Sequence, residues 1–278
     1  MRIGIYAFLV IAAAFFLLPV YVMVLTSMKS MSELQLNGVL ALPEAVRIET
    51  WRYAWAEACT GARCEGISAG FWNSVRILIP SVVLSVAIGA VTGYSLSLWK
   101  VKGANILFGL LLAGAFIPYQ IFLLPLVRAF SAVGVQGTLI SIVSVHVIFS
   151  LPLMTLIFRN AFSSVPNELF RAARMDGCGY WTIFWRVLLP MSGPIIAVAV
   201  ILQVSGVWND FLMGVIFAGQ TNMPMTVQLN NLVNTEMGMP AHDVNMAATL
   251  MTALVPLAVY LLAGRLFERG IYAGAVKG

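Results

Sequence analysis

Charge is what this sequence has least of. Asp, Glu, Lys and Arg make up 10% of its 278 residues, against about 25% in an ordinary soluble domain. With 60% of the chain hydrophobic, that scarcity excludes a soluble globular enzyme. It also excludes disorder, which needs high charge and low hydrophobicity. Segments of about ten residues with alternating polarity are missing too, which excludes a transmembrane β-barrel. The apolar share is about 167 residues, and six spans of about 20 would use about 120 of them. Only helices satisfy their own backbone groups where no water reaches, so an all-α integral membrane protein with six transmembrane helices is predicted.

Metal-ligating and catalytic signals are also lacking. There are three cysteines, and the two histidines, His146 and His242, lie far apart, so no ligand set for a metal is present. No G-x-x-x-x-G-K-[ST] loop, no G-x-G-x-x-G after a strand and no G-x-S-x-G elbow occurs, so nothing in the chain is expected to hydrolyse ATP or another substrate. The net charge of +5 comes from bases scattered between apolar runs, with no stripe or arm to bind nucleic acid.

What is there is a series of long apolar runs, over about 3–28, 71–99, 104–128, 134–158, 190–218 and 247–267. The first is longer than a secretory h-region and lacks a small-x-small site before Lys29, which marks a retained span. The polar stretch 29–70 carries Trp51, Tyr53 and Trp55, suited to a membrane interface. Pro19, Pro80, Pro118, Pro125, Pro152 and Pro256 lie inside runs, where each removes a hydrogen bond and favours a bend. With the N-terminus inside, the cytoplasmic loops hold ten bases, among them Lys100, Lys102, Arg159, Arg171, Arg174, Arg186 and Lys277, and three acids. The outer loops hold six bases and eight acids, Glu236 and Asp243 among them. The excess of bases in the short inner loops predicts that both termini are cytoplasmic.

The inner segment 163–189 is the most informative. Ser163, Ser164, Val165, Pro166 and Asn167 supply a cap and a first-turn proline, Glu168 to Asp176 can continue as a helix, and Gly177 can end it. A second amphipathic stretch, 180–189, leads to Pro190. Arg171 and Arg174 flank the small Ala172 and Ala173, giving a helix that can dock into a cleft of another protein. The residue pattern alone is equally compatible with an interfacial helix held by lipid headgroups.

Spacing adds to this. Arg171-Ala172-Ala173, three residues, Gly177, nine residues and Val187-Leu188-Leu189-Pro190 resemble the E-A-A-x3-G-x9-I-x-L-P signature of membrane permease subunits of bacterial ABC importers. Arg171 stands where the signature has Glu, and Val187 where it has Ile. The carboxylate's place can fall instead to Glu168 or Asp176. Phe71-Trp72-Asn73-Ser74, Ile117-Pro118, Leu124-Pro125-Leu126, Val207-Trp208-Asn209-Asp210-Phe211, and Arg269-Gly270 with 273–278 resemble the carbohydrate-uptake branch. The stretches 228–234 and 244–248 resemble glucose and mannose permeases. The resemblance implies a single type I permease domain over 1–278, with a cytoplasmic coupling helix, in the bacterial inner membrane. Its implied partners are a second permease subunit, two ATP-binding subunits that carry ATP and Mg, and a periplasmic or extracellular sugar-binding protein. The implied activity is ATP-driven transport of a sugar, a hexose of the glucose or mannose kind; the competing reading is a secondary transporter driven by an ion gradient.

Several polar residues admit two readings. Asp210 lies in an apolar run, where a carboxylate is costly and marks function, yet about 20 residues from Pro190 bring it to the outer boundary, where it can serve structure or subunit contact. Gln203, Ser205, Trp208 and Asn209 suit a sugar, which needs hydrogen bonds and an aromatic ring to stack on. They suit helix-packing hydrogen bonds equally. The amide-rich outer segment 219–245 reads as a solvated loop or as contact with a partner.

The charge count places Cys59 and Cys64 outside and Cys178 inside. The outer compartment favours a disulfide, with two free thiols in a loop as the alternative. Alkylation of unreduced protein followed by mass spectrometry should label Cys178 alone; labels on Cys59 and Cys64 would mean no bridge.

Overall fold

The computed structural model describes residues 2–61, 63–99, 101–235 and 241–275, the last of these by backbone alone after Leu262. Lys100, Glu236, Lys277 and the end of the 273–278 motif lie outside the described residues. Among the described residues the fold is all-helical. Four helices are long and apolar enough to cross a membrane, namely Arg2–Thr26 (α1), Ser68–Leu98 (α4), Leu139–Ser163 (α7) and the His242–Leu262 part of α14, His242–Ala275. Two bent pairs bring the number to six if each is one span.

Those pairs fall in two of the expected spans and divide each into two helices. The 104–128 run is not one helix: Ala104–Phe116 (α5) and Gln120–Ala132 (α6) meet at 105°. Pro118 disfavours helix at the residue before it, and Ile117 is extended, at φ −77° and ψ 126°. In the fifth, the helix is Gly193–Trp208 (α11). It meets the helical stretch Tyr180–Met191 at 81°, across Ser192 and just before Pro194. It stops before residue 218 was reached, since Asn209, Asp210 and Phe211 break the run ahead of the short helix Leu212–Phe217 (α12). The fourth run also begins late, because 134–138 is a turn with Gly134 and Gly137 at positive φ.

The chain divides into two compact units. One comprises Met1–Trp72 and Met225–Val255. It holds α1, most of whose surface is exposed and apolar, then Met31–Asn37 (α2) and Glu49–Ala56 (α3). Ser30 caps α2 by accepting from the Glu33 N–H at 3.2 Å. Cys59 and Cys64 are joined in a disulfide beside Gly61, whose φ is +93°. The amide-rich segment is not simply a loop: it contains Met225–Thr235 (α13), and the Gln228 Oε1 accepts from the Gly70 N–H at 2.8 Å.

The other unit comprises Asn73–Pro224 and Pro256–Gly278. Its main apolar cluster joins Ala90, Tyr94 and Leu98 of α4 to Met154, Phe158 and Phe162 of α7. Two glycines on α4 allow this. A Cβ at Gly93 would lie 2.6 Å from the Arg159 backbone nitrogen and 2.7 Å from the Phe158 Cβ, and one at Gly89 would overlap Met154. Gly-x3-Gly spacing thus lets α7 approach α4 almost backbone to backbone, the way helices associate in lipid. A second cluster holds Ile77, Ile142, Val145, Val207, Met213 and Phe217.

Substituting Gly93 by Ala should destabilise the protein in detergent by about 1–3 kcal/mol through overpacking. The same change at Gly109, where nothing lies within 4 Å, should be neutral or stabilising by up to about 1 kcal/mol. Equal thermal unfolding of the two variants would contradict the close-contact reading.

Candidate functional site

The docking helix forms over Asn167–Met175 (α8). Pro166 is its N-cap residue and not a first-turn proline, and no side chain caps it. Ser163 and Ser164 instead close α7, their hydroxyls donating to the Asn160 and Ala161 carbonyls at 2.9 and 2.7 Å. Glu168 in the first turn and Arg174 in the last suit the helix dipole. Gly177 has φ +76°, and the Cys178 and Gly177 N–H groups donate to the Ala173 and Arg174 carbonyls at 3.0 and 3.1 Å. That pair of bonds is a Schellman closure, which needs a left-handed residue at Gly177.

One face of α8 is buried and the other is not. Phe170 and Ala173 pack into the α4–α7 cluster. Glu168, Arg171, Ala172, Met175, Asp176 and Gly177 are exposed, as is Pro190. Of the seven residues predicted here, only Ala173 therefore faces inward. Arg171 and Arg174 border an open groove of about 480 Å³ with Trp99, Asn167 and Phe170.

The anchor of α8 is aromatic. Phe170 meets Trp99 edge-on at 5.6 Å, and the Arg174 guanidinium lies over the Trp99 ring at 5.3 Å. Trp99 also meets Tyr180 at 5.2 Å, and Tyr180 meets Tyr94 at 4.6 Å. The Tyr94 hydroxyl donates to the Tyr180 carbonyl at 3.1 Å, and the Tyr180 and Ser95 hydroxyls share a 2.6 Å hydrogen bond. This arrangement ties the 180–191 segment, which includes a π-turn at Phe184–Leu188, to the end of α4. Tyr94, Ser95, Trp99 and Tyr180 were not among the predicted site residues. The available signal was the run of aromatics from Trp181 back to Tyr180, set against a Tyr and a Trp near the end of the second apolar run.

The five pathway candidates do not converge. Gln203 is buried and its Nε2 donates to the Ser85 Oγ at 3.2 Å, while the Ser150 hydroxyl donates to the same Ser85 Oγ at 2.7 Å. This chain links α11, α4 and α7. Trp208 is buried as well. Ser205 and Asn209, four residues apart, share a more open face. Asp210 is half-buried and supports α12: its carboxylate accepts from the Gly214 N–H at 3.0 Å and the Met213 N–H at 3.4 Å, with the His146 Nε2 4.0 Å away. Among the described residues no group of three or more His, Cys, Asp or Glu is placed to hold a metal ion.

Comparison with known proteins gives this arrangement its context. Residues 85–271 match the family described as binding-protein-dependent transport system inner membrane component. The chain is 33% identical over 217 residues to the osmoprotective compounds uptake permease protein GgtD of Synechocystis, covering 77% of this chain and 72% of that protein. It is 30% identical over 277 residues to the arabinooligosaccharides transport system permease protein AraQ of Halalkalibacterium halodurans, covering 98% and 94%. The glucose import system permease protein GlcU of Saccharolobus solfataricus is 29% identical over 282 residues, covering 98% and 95%. A chain of a bacterial ABC transporter involved in the import of the acidic polysaccharide alginate superposes with a TM-score of 0.82 at 18% identity, covering 96% of each chain. That similarity establishes the fold.

Nothing lies within 4 Å of a Cβ at Gly177, so a substitution there meets only backbone strain. Gly177→Val should cost about 1–2 kcal/mol, enough to speed amide exchange at Gly177's neighbour Cys178 about tenfold. Unchanged exchange would show that the left-handed turn does not hold the end of α8.

Proposed function

This chain belongs to the family of binding-protein-dependent transport system inner membrane components, and from that premise we propose that it is the permease subunit of an ATP-driven carbohydrate importer, with both termini cytoplasmic. The observation that carries the reading is α8. Its inner face is fixed by Phe170 and Ala173, and its outer face presents Glu168, Arg171, Ala172 and Asp176. A helix so divided can be gripped from outside while remaining attached to the spans. In this reading α8 is the coupling helix, and the Arg171 side sits in a cleft of an ATP-binding subunit. ATP and Mg would be held by two such subunits. A second permease subunit would complete the pathway, and an external binding protein would deliver the sugar.

Support for a carbohydrate comes from relatives named for arabinooligosaccharide, α-glucoside and glucose transport. Support for a binding protein comes from a fold neighbour solved with an alginate pentasaccharide-bound periplasmic protein, with a TM-score of 0.64. The narrower reading is a hexose of the glucose or mannose type, which rests on the resemblance at 228–234 and 244–248. Substrate contact on this chain is assigned to the open face with Ser205 and Asn209, since Gln203 and Asp210 are engaged in holding helices.

Two measurements test the proposal. In proteoliposomes holding the full importer, labelled glucose or mannose should be taken up only with ATP inside and the binding protein outside. Uptake driven by an ion gradient without ATP would overturn it. Arg171→Glu should weaken association with the ATP-binding subunit by about two- to fivefold at low salt, with the difference shrinking as salt rises. Unchanged association at low salt would remove Arg171 from the docking face.

A further inference from the structure

A cavity of about 660 Å³ opens between the ends of α4 and α7 and the start of α5, and shares no lining residue with the groove beside α8. Among the described residues its polar lining is Ser97, Asn105, Arg159 and Ser163, with no carboxylate. Arg159 dominates its charge. One terminal nitrogen donates to the Asn105 Oδ1 at 3.1 Å, and the guanidinium stands 3.9 Å over the Phe108 ring. Its Nε is buried and has no hydrogen-bond partner. Guanidinium has five N–H donors in a planar fork that matches phosphate oxygens, and leaving one buried donor unsatisfied is unfavourable. Exposed Lys102 lies in the adjoining turn and adds positive charge.

The surroundings select the kind of anion. On α5, Ile106 and Leu110, one turn apart on one face, are 72% and 66% exposed. An apolar stripe therefore runs from the mouth of a cationic polar cavity along a membrane helix. A free anion would use the cavity and leave the stripe, whereas a phospholipid would use both.

We propose that this cavity binds the phosphate of an anionic phospholipid headgroup through Arg159, with the acyl chains lying along Ile106 and Leu110. The site depends on the placement of the chain in a membrane and not on the sugar or the ATP-binding subunit, so its binding assay and the transport assay succeed or fail separately.

The test uses the full chain purified in a neutral detergent, with native mass spectrometry of bound phosphatidylglycerol and phosphatidylcholine. The parent should retain phosphatidylglycerol about fivefold or more over phosphatidylcholine, the contribution of one basic residue at a membrane surface. Arg159→Gln should bring the ratio near one. Ser163→Phe, at an exposed helix end, fills the cavity with Arg159 kept and should do the same; it decides the matter if Arg159→Gln does not purify as a folded protein. Equal retention of the two lipids by the parent, or an unchanged preference in the folded variants, would overturn the proposal. Displacement of phosphatidylglycerol by millimolar inorganic phosphate would overturn it too, by showing a site for a free anion.

Discussion

The close approach of α4 and α7 at Gly89 and Gly93 is the contact on which the α8 end of the larger unit depends. In lipid there is little hydrophobic gain in pressing two apolar helices together, so association rests on packing at short range. The absent side chains at Gly89 and Gly93 let Met154, Phe158 and the Arg159 backbone come within reach of α4. One residue further along, Tyr94 can then meet Phe162 at 6.2 Å, Phe184 at 5.5 Å and Tyr180 at 4.6 Å. The α8 anchor at Phe170 and Ala173 enters that same cluster. A wider helix pair would leave α8 without a floor.

The sequence reading located the apolar runs and the docking helix, because hydropathy over about 20 residues and a capped amphipathic segment are both local signals. It treated the prolines alike, and they are not alike. Pro19, Pro80, Pro125, Pro152 and Pro256 all stay inside helices. At Pro118 three things coincide: a β-branched residue precedes it, Gly114 lies in the preceding turn, and neither α5 nor α6 has a buried residue. Ile79-Pro80 shares the first feature but is flanked by buried Ile77 and Ser81. Pro19 is unpacked but follows a leucine. Packing is a tertiary property, so the difference between these sites was not available from the pattern alone.

The same limit explains the polar residues. Composition marked Gln203 and Asp210 as candidates for substrate contact, and equally for structure. Which role each takes is set by what arrives from elsewhere in the chain: Ser85 and Ser150 for Gln203, and the freed N–H groups of Met213 and Gly214 for Asp210. The aromatic anchor was missed for a related reason. In the sequence Tyr94 and Trp99 are two aromatics near the end of an apolar run, and only the fold brings Tyr180 back onto them.

If α8 couples ATP binding to a gate, the strengths of these contacts indicate where the chain gives way. Turning a two-state gate from 1:99 to 99:1 takes about 5.5 kcal/mol of differential binding. At the α8 end, Tyr180 is held to α4 by ring contacts and three hydrogen bonds, and each aromatic pair contributes about 0.5–1.5 kcal/mol. α11 meets α4 through the 3.2 Å bond from Gln203 to Ser85 and through Ala199, which packs in the same cluster as Ala90; a hydrogen bond between helices in lipid is worth about 0.6 kcal/mol on average. A load of the first magnitude exceeds any one of these contacts taken singly. In such a change the 180–191 segment would follow α4, to which it is fastened by its aromatic and hydrogen-bond contacts, and the 81° break at Ser192 is where α11 would change direction relative to both.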